Sequence, residues 1–455
     1  MRSCRWVMFL VLLQATPAVA QSAWETYSGY MDGWMERAGD LDLYGVTAQL
    51  PQGVFSMKYE WNTRTADGRY NNHRDRTAMV EPITFGEEEN PLLVLDLGVS
   101  GGGGGVTMQF AYGITDPLDF YFELPMQYAN VQMRPKLTKL DPSARTMINA
   151  YASAAGYPQA EADWFNASGQ TTDRYMNEAA AWFLGYLPRL GRPAMYVGDT
   201  YPEDLGPGKE YNTNGWVLGD INLGLSWNYK RSSRWSGALT GRVYLPTGSM
   251  ANPNSSLTLG TGPGLDRGTG SFGVGFTKGY DVRVFKYEHW VDIILSAEFT
   301  GGYFFKSKRR YPDFPKPTTD GNQLLDLLDA ERLYFPDMSD LTGGSYEYTP
   351  GVGLAASFGV SVAVLMFDVG ATVGYRFFQE PELNADWRFE RMVKNLEMQA
   401  AGHTEILRLA AGVNLLPLYI PLRIHYQFEK AIGGRNTLIF TDNHWITVQG
   451  YIPTF

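Results

Sequence analysis

From Val106 to Gln132 large apolar residues alternate with small or polar ones. Met108, Phe110, Tyr112 and Ile114 stand against Thr107, Gln109, Ala111 and Gly113. After Thr115-Asp116-Pro117-Leu118-Asp119, the residues Phe120, Phe122, Leu124, Met126 and Tyr128 stand against Tyr121, Glu123, Pro125, Gln127 and Ala129. A period of two puts each set on its own face of a strand, and the Asp-Pro pair presets a turn between them. One face is large and apolar and the other polar enough to be wet, as in a transmembrane barrel strand.

The same unit recurs along the chain. Phe55, Met57, Tyr59 and Trp61 make the first strand, the hairpin the second and third, and Val217 to Tyr229 the fourth. Trp235 to Leu245, Phe272 to Tyr280, Val291 to Tyr303, Gly351 to Ala363 and Met366 to Phe378 follow. Leu407 to Leu415, Leu422 to Glu429 and His444 to Phe455 complete twelve. Joins after even-numbered strands are short and those after odd-numbered strands long. Bacterial barrels have even strand numbers, short periplasmic turns and long outer loops. The expectation is an all-β fold: an antiparallel transmembrane β-barrel with long, partly helical extracellular loops. Helix is expected within Asp141 to Leu187 and around Gln323 to Leu333. The run Gly101 to Gly105 lacks the Lys-Ser/Thr of a phosphate loop and reads as flexible backbone.

Residues 1–20 read as a secretory signal, with Arg2 and Arg5 before an apolar core and Ala18-Val19-Ala20 before a cut at Gln21. Residues 21–52 then form a periplasmic N-terminal segment, either a plug in the mouth or a helix or loop packing beneath the barrel, and 53–455 form the barrel. The single cysteine, Cys4, lies in the signal. A mature chain without thiols has no disulfide, thiolate catalysis, Cys-based metal site or lipid-anchoring cysteine. Charge narrows the partners. The chain carries 38 basic and 48 acidic residues, and loss of Arg2 and Arg5 takes the net from −10 to −12, against a nucleic-acid partner. Trp227, Tyr229, Trp235, Tyr287 and Trp290 cluster near the short turns, where an aromatic girdle belongs. Lys306, Lys308, Arg309 and Arg310 fall at the outer end of strand seven, near lipopolysaccharide phosphates. Outer-membrane lipid and lipopolysaccharide are thus expected partners.

Tyr112-Gly113-Ile114-Thr115-Asp116-Pro117-Leu118-Asp119 and Glu123-Leu124-Pro125 resemble a hairpin of a group of proteobacterial outer-membrane proteins that includes the phenol-degradation meta-pathway proteins. Gly219-Asp220-Ile221-Asn222-Leu223-Gly224 is similar to their next shared strand. Leu245-Pro246-Thr247-Gly248, Leu259-Gly260-Thr261-Gly262 and Gly273-Val274-Gly275 are similar to their Gly-rich loop and return strand. The resemblance spans about Tyr112 to Tyr280, without the insertion at Met133 to Gly215. It implies a barrel that passes small, often apolar or aromatic, solutes. The terminal Phe455 resembles the signal read by the barrel-assembly machinery, although Pro453, Gln449 and Thr447 depart from its apolar pattern.

Two functions compete with a channel. A surface-binding or structural protein would act through the long loops. An enzyme would need a nucleophile constellation, yet the chain has no Gly-x-Ser-x-Gly elbow and five His, namely His73, His289, His403, His425 and His444. No metal or cofactor motif is present. For a channel, polar parity assigns Glu123, Asp220, Arg242, Glu298, Arg376, Arg408, Arg423 and His425 to the pore lining, where mixed charges select ions or position a solute. On strand length, Arg242 and Glu298 are expected at the narrowest section and Arg376 and Arg408 at a positive outer entrance.

Overall fold

The computed structural model describes residues 45–79, 82–87, 90–96, 100–133, 136–141, 211–248, 271–287, 291–311, 339–390, 401–418 and 420–453. The signal segment, Gln21 to Asp40, the helices expected after Asp141 and around Gln323, Trp290 and Phe455 lie outside the described residues.

Twelve antiparallel strands close on themselves: β1 (Val54–Tyr70), β2 (Ser100–Thr115), β3 (Leu118–Met133), β4 (Tyr211–Leu218, resuming as Ile221–Arg231), β5 (Trp235–Leu245) and β6 (Gly273–Tyr287), then β7 (Val291–Phe304), β8 (Gly351–Val364), β9 (Phe367–Phe378), β10 (Gly402–Asn414), β11 (Leu422–Arg435) and β12 (Thr437–Pro453). Every sequential neighbour pairs, and β1 closes the ring by pairing with both β2 and β12. Closure leaves no edge, so every ladder group finds a partner without water.

The alternation read from the sequence sorts the two faces. Tyr59, Trp61, Phe358, Val360, Val369, Val373, Leu409, Ile424 and Ile446 project outward and are exposed. On the inward parity lie Ser56, Asn222, Tyr244, Asp281, Asp368, Glu429 and Asn443, all buried. An apolar exterior around a polar interior is a barrel built for the outer membrane. Trp227, Trp235 and Tyr287 stand exposed beside the short turns.

Three expectations change. Gly101 to Gly105 is not flexible backbone: it is the outer half of β2, paired to β1 from Ala66 to Asn62 and to β3 from Val131 to Gln127. Ladder hydrogen bonds need no side chain, and a Cβ at Gly104 would press on the Asn62 carbonyl. β6 continues past Tyr280 to Tyr287, and β10 starts at Gly402, five residues before the alternation becomes legible. The outer join between β11 and β12 is the single residue Asn436, with φ at 49°, rather than a long loop. Asparagine tolerates that left-handed conformation.

Outside the barrel, Ser307–Arg310, Ser345–Thr349 and Glu382–Asn384 form a small sheet. Its core is Tyr311, Tyr346, Tyr348 and Phe389. The basic run is partly spent here: Lys306 reaches Glu347 at 3.2 Å and Arg309 stacks on the Tyr348 ring at 3.5 Å, while Lys308 and Arg310 stay exposed. Arg388 clamps Asp340 and Asp386 at 2.8 Å each. Its guanidinium holds both carboxyls below their ordinary range, and Asn384 and Lys306 do the same for Glu347. Groups lowered in the fold stabilise it above the unfolded value and stop doing so as pH falls through the folded value. This cap is therefore expected to loosen as pH falls below the ordinary carboxylate range of about 4. Fluorescence of exposed Trp387 should change there while the barrel's β-sheet dichroism persists; a flat Trp387 signal through acid titration would count against the clamp.

Candidate functional site in the barrel lumen

At the periplasmic mouth the segment just before β1 folds back inside the wall. Asp281 of β6 is fully buried and accepts from Val46 N at 3.1 Å, Thr47 N at 2.7 Å, Thr47 Oγ1 at 2.6 Å and Ser296 Oγ at 2.6 Å. Thr47 Oγ1 also meets Ser236 Oγ of β5. Further along, Gln49 reaches Ser226, Leu50 N donates to Asp119 of β3 at 2.9 Å, and Gln52 N donates to Asp116 in the turn. The strap of residues 45–52 thus crosses the inner faces of β6, β5, β4 and β3 before entering β1. Two glycines seat it: a Cβ on Gly279 would meet Val46, and one on Gly113 would meet the Pro51 carbonyl.

Above the strap, register brings charged residues together. On β9, Asp368 lies one residue past the short turn and receives Arg423 Nη2 at 3.4 Å, with His425 Nε2 at 3.7 Å. Farther out, Lys58 pairs with Glu60 at 3.1 Å. Arg242 lies over the Tyr121 ring at 5.8 Å, and Glu123 accepts from Asn222 Nδ2. Lys58, Glu123 and Arg242 lie close enough to act on one another's charge. Glu298 accepts from Thr300 Oγ1 at 3.2 Å and pairs in register with Ser357. Nearer the outer end, Arg376 grips Glu429 with two hydrogen bonds, at 3.1 and 3.0 Å. Arg408 joins the same carboxylate at 2.8 Å, and Asn443 donates to it at 3.2 Å.

No family model matches this chain, and no curated protein matches it either. Solved structures do show likeness. An outer-membrane channel from Pseudomonas putida F1 superposes over 90% of this chain and 98% of its own, with 11% identity and a TM-score of 0.47. The β-domain of the Bordetella autotransporter BrkA covers 89% of this chain and 100% of its own, at 7% identity and a TM-score of 0.34. The toluene transporter TodX of Pseudomonas putida covers 89% of this chain and 90% of its own, at 10% identity and 0.29. All three scores fall below 0.5, so the reading of this barrel rests on its own geometry.

That geometry gathers seven of the eight residues assigned from parity onto lumenal ladders. Arg376 and Arg408 share one carboxylate, Arg423 and His425 share another, and Glu123 lies beside Arg242; Glu298 joins none of the three. Arg408 lies mid-strand rather than near the outer end, because β10 begins at Gly402. Asp220 stands apart, at the break in β4, where its carboxylate accepts from Gly248 N at 2.9 Å. Sequence reasoning missed Asp281 and the strap. Asp281 continues the inward parity of Thr277 and Gly279, a signal lost when the strand was ended at Tyr280. Nothing in the alternation marks residues 45–52, whose partners lie from 64 to 235 positions away.

Proposed function

We propose that the chain is an outer-membrane channel for small solutes, with the charged lumen as its path and residues 45–52 as a plug-like strap at the periplasmic mouth. One observation carries the reading: the mainly polar face of the wall is turned inward and holds ion pairs on β1, β6, β7 and β9 to β11. A wall that only filled a small closed barrel would be satisfied with uncharged side chains, since buried ion pairs add little net stability. A barrel of about 12 strands lies between side-chain-filled barrels of 8 and open porins of 16 to 18. Its conduction is therefore set by wall side chains and by the strap. Glu123, Arg242, Glu298, Arg376, Arg408, Arg423 and His425 are the proposed lining, and Asp220 is proposed to act at the rim.

The finer assignments, a solute that is apolar or aromatic and kinship with the phenol meta-pathway group, rest on the sequence resemblance. Lipopolysaccharide contact through Lys308 and Arg310 fits their exposure on the cap. Planar-bilayer recording of the refolded chain tests the channel. Discrete conductance steps are expected; a silent protein that is folded by gel mobility would refute conduction and favour action through the loops.

A further inference from the structure

We propose that the outer half of the lumen, on β1 and β9 to β12, binds the carboxylate of a small organic anion. This rests on the channel reading and adds the chemical class of its solute. Both oxygens of Glu429 are already engaged, Oε1 by Arg376 and Asn443 and Oε2 by Arg376 and Arg408. The Glu429 side chain is only 5% exposed, whereas those of Arg376 and Arg408 are 35% and 27% exposed. The carboxylate therefore lies behind its partners, and a solute entering the lumen meets guanidinium rather than carboxylate.

A third guanidinium belongs to the same wall. Arg64 of β1 pairs in register with Asn443 and lies over the Phe440 ring at 5.1 Å. Three guanidinium groups, those of Arg64, Arg376 and Arg408, thus lie on the wall that carries Glu429. The periplasmic third is richer in carboxylate. There Asp119, Asp281, Asp292 and Asp368 lie buried or half-buried, with Arg231 near Asp119, Arg283 on Asp292 and Arg423 on Asp368. Guanidinium in front of a buried carboxylate draws an anion to the outer half, and the aspartates below do not hold it further down. Guanidinium presents a planar fork that matches a carboxylate's two oxygens, so a carboxylate gains orientation there as well as charge. Phe440 beside Arg64 and Trp445 two residues beyond Asn443 give the wall apolar surface for the rest of such a solute.

The test compares benzoate with its neutral isostere benzamide by isothermal titration of the refolded protein in detergent, which reads binding whether or not the protein conducts. Benzoate is expected to bind at least about tenfold more tightly than benzamide, the margin of a charge-assisted hydrogen bond. The triple variant Arg376→Gln/Arg408→Gln/Glu429→Gln leaves no buried charge alone and should erase the margin while keeping the mobility of a folded barrel on unboiled gels. Glu429→Gln by itself removes only the counter-charge and should tighten benzoate; a purely structural pair would move the other way. Equal binding of the two probes, or a margin that survives the triple variant, overturns the proposal. Absence of conductance with benzoate selectivity intact would overturn the channel reading and leave the anion site standing.

Discussion

Asp281→Ala is expected to release the strap and raise single-channel conductance. The substitution strips Val46 N, Thr47 N and Thr47 Oγ1 of a shared, fully buried acceptor. Each donor left unsatisfied costs about 1–3 kcal/mol. Thr47 Oγ1 keeps Ser236, so two donors are orphaned, and their loss shifts the strap's equilibrium between wall and solvent by at least about 30-fold. The bond through Gln49 is long, at 3.4 Å, while Leu50 N and Gln52 N stay on Asp119 and Asp116, so residues 45–49 are the part released. Asp281→Asn keeps one carbonyl acceptor and should fall between wild type and alanine. Labelling of Val46→Cys by an aqueous thiol reagent supplies the second readout: slow in the otherwise native protein, fast once Asp281 is alanine. Unchanged conductance together with unchanged labelling would show that the strap does not depend on Asp281 for its position.

The second large effect concerns the outer face. Leu409 lies near the middle of β10, is 47% exposed and is flanked in register by Ala371 and Phe428. Arginine there would face lipid, at a cost of about 2–4 kcal/mol near the membrane midplane. Ser357→Arg points the same charge into the lumen, directly across from Glu298. Leu409→Arg should therefore lower the fraction of the fast-migrating folded species on unboiled gels and its urea midpoint in lipid. Ser357→Arg should leave both close to wild type. Equal behaviour of the two variants would mean that inward and outward faces have been exchanged.

Much of this architecture was legible because a strand's side-chain period is local. Met108, Phe110 and Tyr112 announce a lipid-facing row without reference to any other part of the chain, and the alternation of short and long joins then orders the strands. Strand ends were harder to read. The alternation fades where β2 is glycine and where β6 turns to Val284, Phe285 and Lys286, yet backbone pairing continues through both. The Asn436 turn was missed for the same reason: a one-residue join leaves no run of turn residues to notice.

The lumen charges divide in the same way. Parity sufficed to assign Arg242, Arg376, Arg408, Arg423 and Glu123 to one face, because inward or outward is a property of a residue's own strand. Parity is silent on partners. That Arg376 and Arg408 converge on Glu429 follows from the registers of β9, β10 and β11, which slide by whole residues without altering any local pattern.

The sequence by itself determined the strand number, the antiparallel closure, the two faces and the charge types available to the lumen, since each depends on spacing within a few residues. Tertiary structure alone decided which charges meet and that residues 45–52 lie inside the mouth. Those depend on contacts between positions as distant as Val46 and Asp281, 235 apart in the chain, and a long-range contact of hydrogen-bonding groups leaves no periodicity behind.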